Sequence, residues 1–268
     1  KIHVLTHTLH YGMGAFEGVR AYETSDGPAI FKLNEHTDRL FNSAKILGMK
    51  IPYSADSLNQ AQREVITKNN LKSAYIRPMC FYGSEGMGLR ADNLKVHTMI
   101  AAWEWGAYYG DAKMKGAKLD ISKWKRPSPE TIPSHAKAAG LYMICTMSKH
   151  AAEAKGCSDA MMYDHRGYVA EATGANIFFV KDGEVHTPTP DCFLNGITRQ
   201  TVIGMLHDKG ITVHERHIMP EELSGFEQCW LTGTAAEVTP VGQIGDFKFE
   251  VGALTRDIAE SYEKLVRA

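Results

Sequence analysis

An acid and an amide stand five residues apart at Glu171 and Asn176, followed by Ile177-Phe178, Val185-x-Thr187 and Leu194-Asn195-Gly196-Ile197-Thr198-Arg199. A short turn, a strand, a hairpin and the start of a helix over this stretch would bring one carboxylate and a ring of backbone N–H groups into a single site. That pairing suits a cofactor that is basic at one end and phosphorylated at the other. Gly196-Ile197-Thr198 opens the helix, where the first N–H groups are unpaired and carry partial positive charge, and Thr198 adds a hydroxyl. Thr232-Gly233-Thr234-Ala235-Ala236 is a second small-residue turn that reads equally well as a phosphate contact or an ordinary tight turn.

The elements that must position these groups fall into two sets. Over residues 1–108, alternating runs at 18–22, 29–33, 73–82 and 96–105 read as strands around helices at 35–48 and 57–69. In the first helix Asn34 is the expected cap, with Leu40, Phe41, Ala44 and Leu47 on one face. Residues 109–117 form the linker, in a stretch punctuated by Gly106, Gly110 and Gly116. Residues 118–268 hold a strand at 118–124, a loop with Pro127, Pro129 and Pro133, and a long helix at 138–155. Strands follow at 160–164, 177–181, 185–187, 212–215 and 228–232, with helices at 198–209 and 252–267. The expected class is α+β, with a smaller N-terminal sandwich-like domain and a larger C-terminal domain on a mixed or antiparallel sheet.

Composition sets the partners. The 268 residues exceed one ordinary core, and 30 basic against 31 acidic residues give a net charge of -1, with no electrostatic case for nucleic acid or an anionic membrane. A small-molecule ligand is expected. Five scattered cysteines favour a reducing compartment, and no apolar run approaches a membrane span, so a cytoplasmic location is expected. Lys1-Ile2-His3-Val4 is not a secretory leader, and residues ahead of this segment are expected.

Three motifs take plain readings. Gly12 to Gly18 departs from a dinucleotide loop in its third glycine, and Gly83 to Gly88 lacks the lysine of a phosphate loop and reads as a flexible stretch near a pocket. The pairs His7/His10 and His214/His217 lie in strand-like or irregular sequence, where that spacing points the rings to opposite faces, so no metal site is expected.

Several further runs keep a fixed order along the chain: Tyr11-Gly-x-Gly-x-Phe16-Glu17-Gly18-x-Arg20, His36-x-x-Arg39-Leu40, Tyr75-Ile76-Arg77-Pro78, Ala136-Lys137-Ala138-x-Gly140-x-Tyr142 and Gly233-Thr234-Ala235-Ala236-Glu237. With Glu171-x-Thr173-x-x-Asn176 and Leu194-x-Gly196-Ile197-x-Arg199 they resemble the class IV pyridoxal-phosphate aminotransferases, branched-chain amino-acid aminotransferases in particular. What the resemblance implies is pyridoxal 5'-phosphate at the interface of the two domains, bound as a Schiff base to Lys137. Glu171 would face the pyridine nitrogen, and Arg39, Ile197, Thr198, Gly233 and Thr234 would hold the phosphate. The Tyr142 hydroxyl would approach the phenolic oxygen. Tyr75 and Arg77, which share one face of a strand, would surround a substrate carboxylate with Tyr11, Thr234 and Ala235. Phe16, Trp105 and Tyr108 would wall the branched side chain, and Arg20 or Arg77 would receive the second carboxylate of glutamate. Ala175 departs from the second acid that many relatives carry before the asparagine.

The implied reaction is reversible transamination between leucine, isoleucine or valine and 2-oxoglutarate, in a homodimer that could assemble further as a trimer of dimers. Rival readings are a D-amino-acid or (R)-amine aminotransferase, an aminodeoxychorismate lyase, and a metabolite-binding relic.

Overall fold

The computed structural model describes residues 1–105 and 115–268. It divides into two compact units: Lys1–Trp105 with His135–Met143 and Arg267, and Gly106–Ser134 with Ile144–Val266 and Ala268. Cutting the sequence at residue 118 puts Lys137 in the second domain, whereas His135–Met143 pack with the first unit.

The first unit is a five-stranded antiparallel sheet with two helices on one face. The long strand β4 (Ala74–Tyr82) is its centre. Strands β1 (Gly14–Phe16) and β2 (Val19–Thr24) pair in succession along one edge, β5 (Val96–Trp103) runs along the other, and β3 (Gly27–Ile30) extends β2. The period of two sorts the side chains. Val19, Ala21, Ala74, Ile76, Cys80 and Tyr82 point to the apolar core with Leu40 and Ala44 of α2 (Leu33–Ile46) and Leu58 and Ile66 of α3 (Ala55–Lys68). Their alternate neighbours, Arg20, Tyr75 and Arg77, share the opposite face, where Arg20 lies across from Tyr75.

Two local expectations change here. Helix α2 begins two residues earlier than the pattern suggests, after Lys32 in the left-handed region, and Asn34 is no cap: its Oδ1 accepts from Asn59 Nδ2 of α3 at 2.9 Å. His7 and His10 lie on a short helix, α1 (His7–Tyr11), closed by Gly12 at φ +68°, so their spacing puts them on one face. Their rings still diverge, His7 Nε2 meeting Gly88 O and His10 Nε2 meeting Val4 O.

The second unit is built on a nine-stranded mixed sheet. Its order is β11 (Val213–Arg216), β10 (Glu184–Pro188), β9 (Asn176–Lys181), β12 (Gln228–Gly233), β13 (Glu237–Ile244), β6 (Ala117–Ile121), β7 (Asp159–Tyr163) and β8 (Val169–Ala172), with β14 (Phe247–Lys248) beside β13. The pairs β10/β11, β6/β13 and β6/β7 are parallel and the others antiparallel. Ile177, Phe179, Leu231, Val241 and Leu119 form its main core, and α5 (Ile197–Asp208) and α6 (Ala253–Leu265) contact β12. Helix α4 (Tyr142–Glu153) is shorter than the expected 138–155, because a 3-10 turn at Ala139–Leu141 precedes it. No helix among the described residues is long and apolar enough to cross a membrane.

Candidate active site

In the first unit, Lys137 sits in an extended segment. Its N–H donates to Ser43 Oγ of α2 at 3.0 Å, its carbonyl accepts from Phe16 N at 3.1 Å, and Ala138 bridges to Ala15. Gly140 N donates to Gly12 O at 3.2 Å, a close approach of two glycines. The turn that follows carries Tyr142 back over the lysine, and Lys137 Nζ donates to the Tyr142 hydroxyl at 2.7 Å. Burial opposes the charge on Lys137, but Tyr142 and then Glu17 and Tyr75 outweigh burial and Arg39, so its ammonium is held above the ordinary lysine range.

Arg39, one turn into α2 from His36, forks onto the fully buried Glu17: Nε to Oε1 at 2.6 Å and Nη2 to Oε2 at 2.9 Å. His36 Nδ1 donates to Oε2 at 2.7 Å. Nη1 of Arg39 takes no part in that fork. Burial alone would raise the Glu17 carboxyl, but Arg39 and His36 bring it down to about 2. A carboxylate ordinarily near 4.5 and held near 2 in the folded chain contributes about 3 kcal/mol. That stability is complete above pH 4.5 and drains away as pH falls toward 2. Denaturant melts between pH 7 and 3 should show a steeper acid loss for the parent chain than for Glu17→Gln, which starts lower because it strands Arg39.

The face of the first sheet opposite its helices is aromatic and cationic. The Arg77 guanidinium lies 4.6 Å from the Phe16 ring centroid and 5.5 Å from that of Tyr75, and Tyr75 stands 5.4 and 5.0 Å from Trp103 and Trp105. Arg77 Nε is buried with no hydrogen-bond partner among the described residues. Arg20 stacks on Tyr22 at 5.2 Å, and the Phe16 ring meets that of Tyr142 at 4.8 Å. Tyr11 ends α1, half exposed, against the His7 ring. Tyr108 lies outside the described residues.

In the second unit, Glu171 of β8 is buried with both oxygens engaged. Arg126 Nε stands 3.3 Å from Oε1, and Asn176 Nδ2 donates to Oε2 at 3.1 Å and to Leu194 O at 3.0 Å. Arg126 Nη1 also donates to Cys145 Sγ at 3.1 Å; burial, only partly offset by Arg126, pushes that thiol up to about 11. All five cysteines are buried and none is in a disulfide. Helix α5 starts at Ile197 after Gly196, which has no side chain to cap its first turn, so those N–H groups suit an anion. Thr198 is buried beside them, and Arg199 ties the preceding loop through Asn195 Oδ1, Pro188 O and Glu215. Gly233, Thr234 and Ala235 turn from β12 into β13, and Thr232 Oγ1 is buried without a partner among the described residues.

Residues 14–244 match the family model of class IV amino-transferases. The chain belongs to the class IV aminotransferases. It is 49% identical over 268 residues to the branched-chain-amino-acid aminotransferase of Pseudomonas aeruginosa, covering 98% of this chain and 87% of that one. Its fold superposes with a TM-score of 0.95 on the branched-chain aminotransferase of Thermoproteus uzoniensis with norvaline, at 37% identity, covering 99% and 89% of the two chains. With the branched-chain amino acid aminotransferase of Thermobaculum terrenum in its PLP-form, the TM-score is 0.91 at 25% identity, covering 100% and 89%.

Class IV aminotransferases use pyridoxal phosphate, and the residues of each unit fit it. The first unit offers a lysine amine paired with a tyrosine hydroxyl and an arginine held by Glu17 through Nε and Nη2. The second offers a buried carboxylate, an uncapped helix start and an orphaned buried hydroxyl. Sequence reasoning passed over Arg126, Trp103 and the Glu17–His36 support of Arg39. Trp103 was within reach, since it lies two residues before Trp105 and ends the strand paired to Tyr75. Arg126, in a proline-rich loop, carried no periodic signal.

Among the described residues, two other clusters bring metal-ligating side chains together, Asp164/His165/Cys192 and Glu184/His186/His214. Arg166 bridges Asp164 to Asp191, His214 is bonded to Glu184, and His186 Nδ1 accepts from Arg216.

Proposed function

We propose that this chain interconverts the branched-chain L-amino acids leucine, isoleucine and valine with their 2-oxo acids, passing the amino group to 2-oxoglutarate to give L-glutamate. The observation that carries this reading is Arg77: a guanidinium laid between Phe16 and Tyr75, its buried Nε without a hydrogen-bond partner among the described residues. Such a wall accepts an aliphatic side chain against its rings and the second carboxylate of glutamate on its cation. One pocket then serves both halves of the reaction.

Pyridoxal phosphate, when bound, supplies the carrier for the amino group and the electron sink for the substrate Cα. Lys137 would be its covalent anchor and the base that moves the substrate Cα proton. Tyr142 would donate to the phenolic oxygen and steers the lysine nitrogen. Glu171 would keep the pyridine nitrogen protonated, and Arg126 and Asn176 hold that acid in place. Arg39, Ile197, Thr198, Gly233 and Thr234 would take the phosphate. Tyr75, Arg20, Tyr11, Thr234 and Ala235 orient the substrate carboxylates, and Trp105 completes the apolar wall.

Gly18 has a part in this pocket, because a Cβ there would collide with the Tyr75 hydroxyl. Gly18→Ala should therefore lower kcat/KM for leucine and glutamate about 10- to 100-fold by displacing Tyr75, with the visible absorbance of bound cofactor unchanged. The minimal unit is a homodimer: Val4 and Leu89, 76% and 86% exposed, are apolar surface that a second copy would cover. Buried thiols that form no disulfide accord with a cytoplasmic setting. Assays with each enantiomer test the stereochemical claim: L-leucine is turned over and D-leucine is not, and turnover of D-leucine alone would overturn it.

A further inference from the structure

Asn176 is 5% exposed and opens β9, the strand held between β10 and β12. Its single amide nitrogen reaches two groups from separate parts of the chain, Glu171 Oε2 at 3.1 Å and Leu194 O at 3.0 Å. Its oxygen packs so closely on the backbone of Gly196 that a Cβ at that glycine would collide with Oδ1. The φ of Gly196 is −61°, which any residue adopts, so this glycine is required by Asn176 and not by backbone conformation.

Each end of this bridge has an anchor of its own. Glu171 keeps Arg126 on Oε1, and the loop before α5 keeps Arg199 on Asn195 Oδ1 and Pro188 O. Removing Asn176 would therefore leave both ends formed, and the packing of Ala170 on Cys192 and Phe193 in place, while severing the hydrogen bonds that set their spacing. We propose that Asn176 is a positioning residue that fixes the separation between the acid and the phosphate-ready start of α5. One rigid cofactor can then engage both at once. The proposal rests on the reading of Glu171 and α5 as the two ends of the pyridoxal phosphate site. A ligand held at two sites gains from their being set at its own length, and that gain is lost when the spacing is free to wander.

The test compares three probes on the full chain before cofactor loading: pyridoxal phosphate, pyridoxal and inorganic phosphate, with dissociation constants by calorimetry. Asn176→Ala should weaken pyridoxal phosphate about 10- to 100-fold while pyridoxal and phosphate, each using one end, weaken by less than about threefold. Gly196→Ala should weaken pyridoxal phosphate about tenfold in the parent chain and not at all in Asn176→Ala, where the obstructing oxygen is gone. Equal weakening of pyridoxal and pyridoxal phosphate would overturn the proposal, because Asn176 would then act through Glu171 alone. So would a Gly196→Ala effect of the same size in both backgrounds. If Asn176→Ala does not melt cooperatively, Asn176→Ser is read by the same criteria. A parent chain that binds pyridoxal phosphate no tighter than pyridoxal would instead sink the cofactor reading itself.

Discussion

Replacing Lys137 with alanine should abolish transamination, lowering turnover by about 10⁴- to 10⁶-fold, the scale on which loss of a covalent nucleophile is felt. The visible absorbance of lysine-bound cofactor should vanish with it, since Lys137 is the amine that stands beside Tyr142 and Phe16. Stability should barely change. The segment is held by its backbone, through Ser43 and Phe16, and not by the lysine side chain. The parent lysine is held charged by its surroundings, and only the neutral amine attacks an aldehyde. Cofactor loading should therefore accelerate as pH rises, as stopped-flow absorbance would record. Retained turnover in Lys137→Ala would remove Lys137 from the chemistry.

Glu171→Gln should lower kcat about 10²- to 10³-fold while weakening the cofactor much less. An amide matches the carboxylate in shape but leaves the pyridine nitrogen without the negative charge that keeps its proton. A separate stability effect is expected. Arg126 is buried and would lose its anionic partner, at a penalty of about 3–5 kcal/mol. Kinetics measured well below the lowered melting temperature separate the two, and an unchanged kcat there would show that Glu171 acts on structure alone.

How much of this could be read beforehand depended on the distance over which each residue is fixed. Tyr75 and Arg77 alternate within one strand, so their shared face was visible in the sequence, as was the helix start at Gly196-Ile197-Thr198. Lys137 reads locally as the start of a helix, yet its place is set by Ser43, 94 positions away, and by Phe16. The acid–arginine pair of Glu17 and Arg39 spans 22 positions and two elements, beyond any local pattern. Strand β13 was passed over because Pro240, opposite Trp230, interrupts its pattern and its register shifts between Val241 and Gln243. The α1 helix was hidden for the opposite reason: five residues are too few for a period to show, and only the left-handed Gly12 marks its end.

A two-stage titration of the cofactor-loaded protein decides whether one pocket takes a branched-chain amino acid and 2-oxoglutarate in turn. L-Leucine added without any oxo acid should bleach the visible band and release its 2-oxo acid in stoichiometric amount. 2-Oxoglutarate added next should restore the band and release L-glutamate. A band that leucine leaves untouched, or pyruvate released from an aminated chorismate with no amino acceptor present, would contradict it.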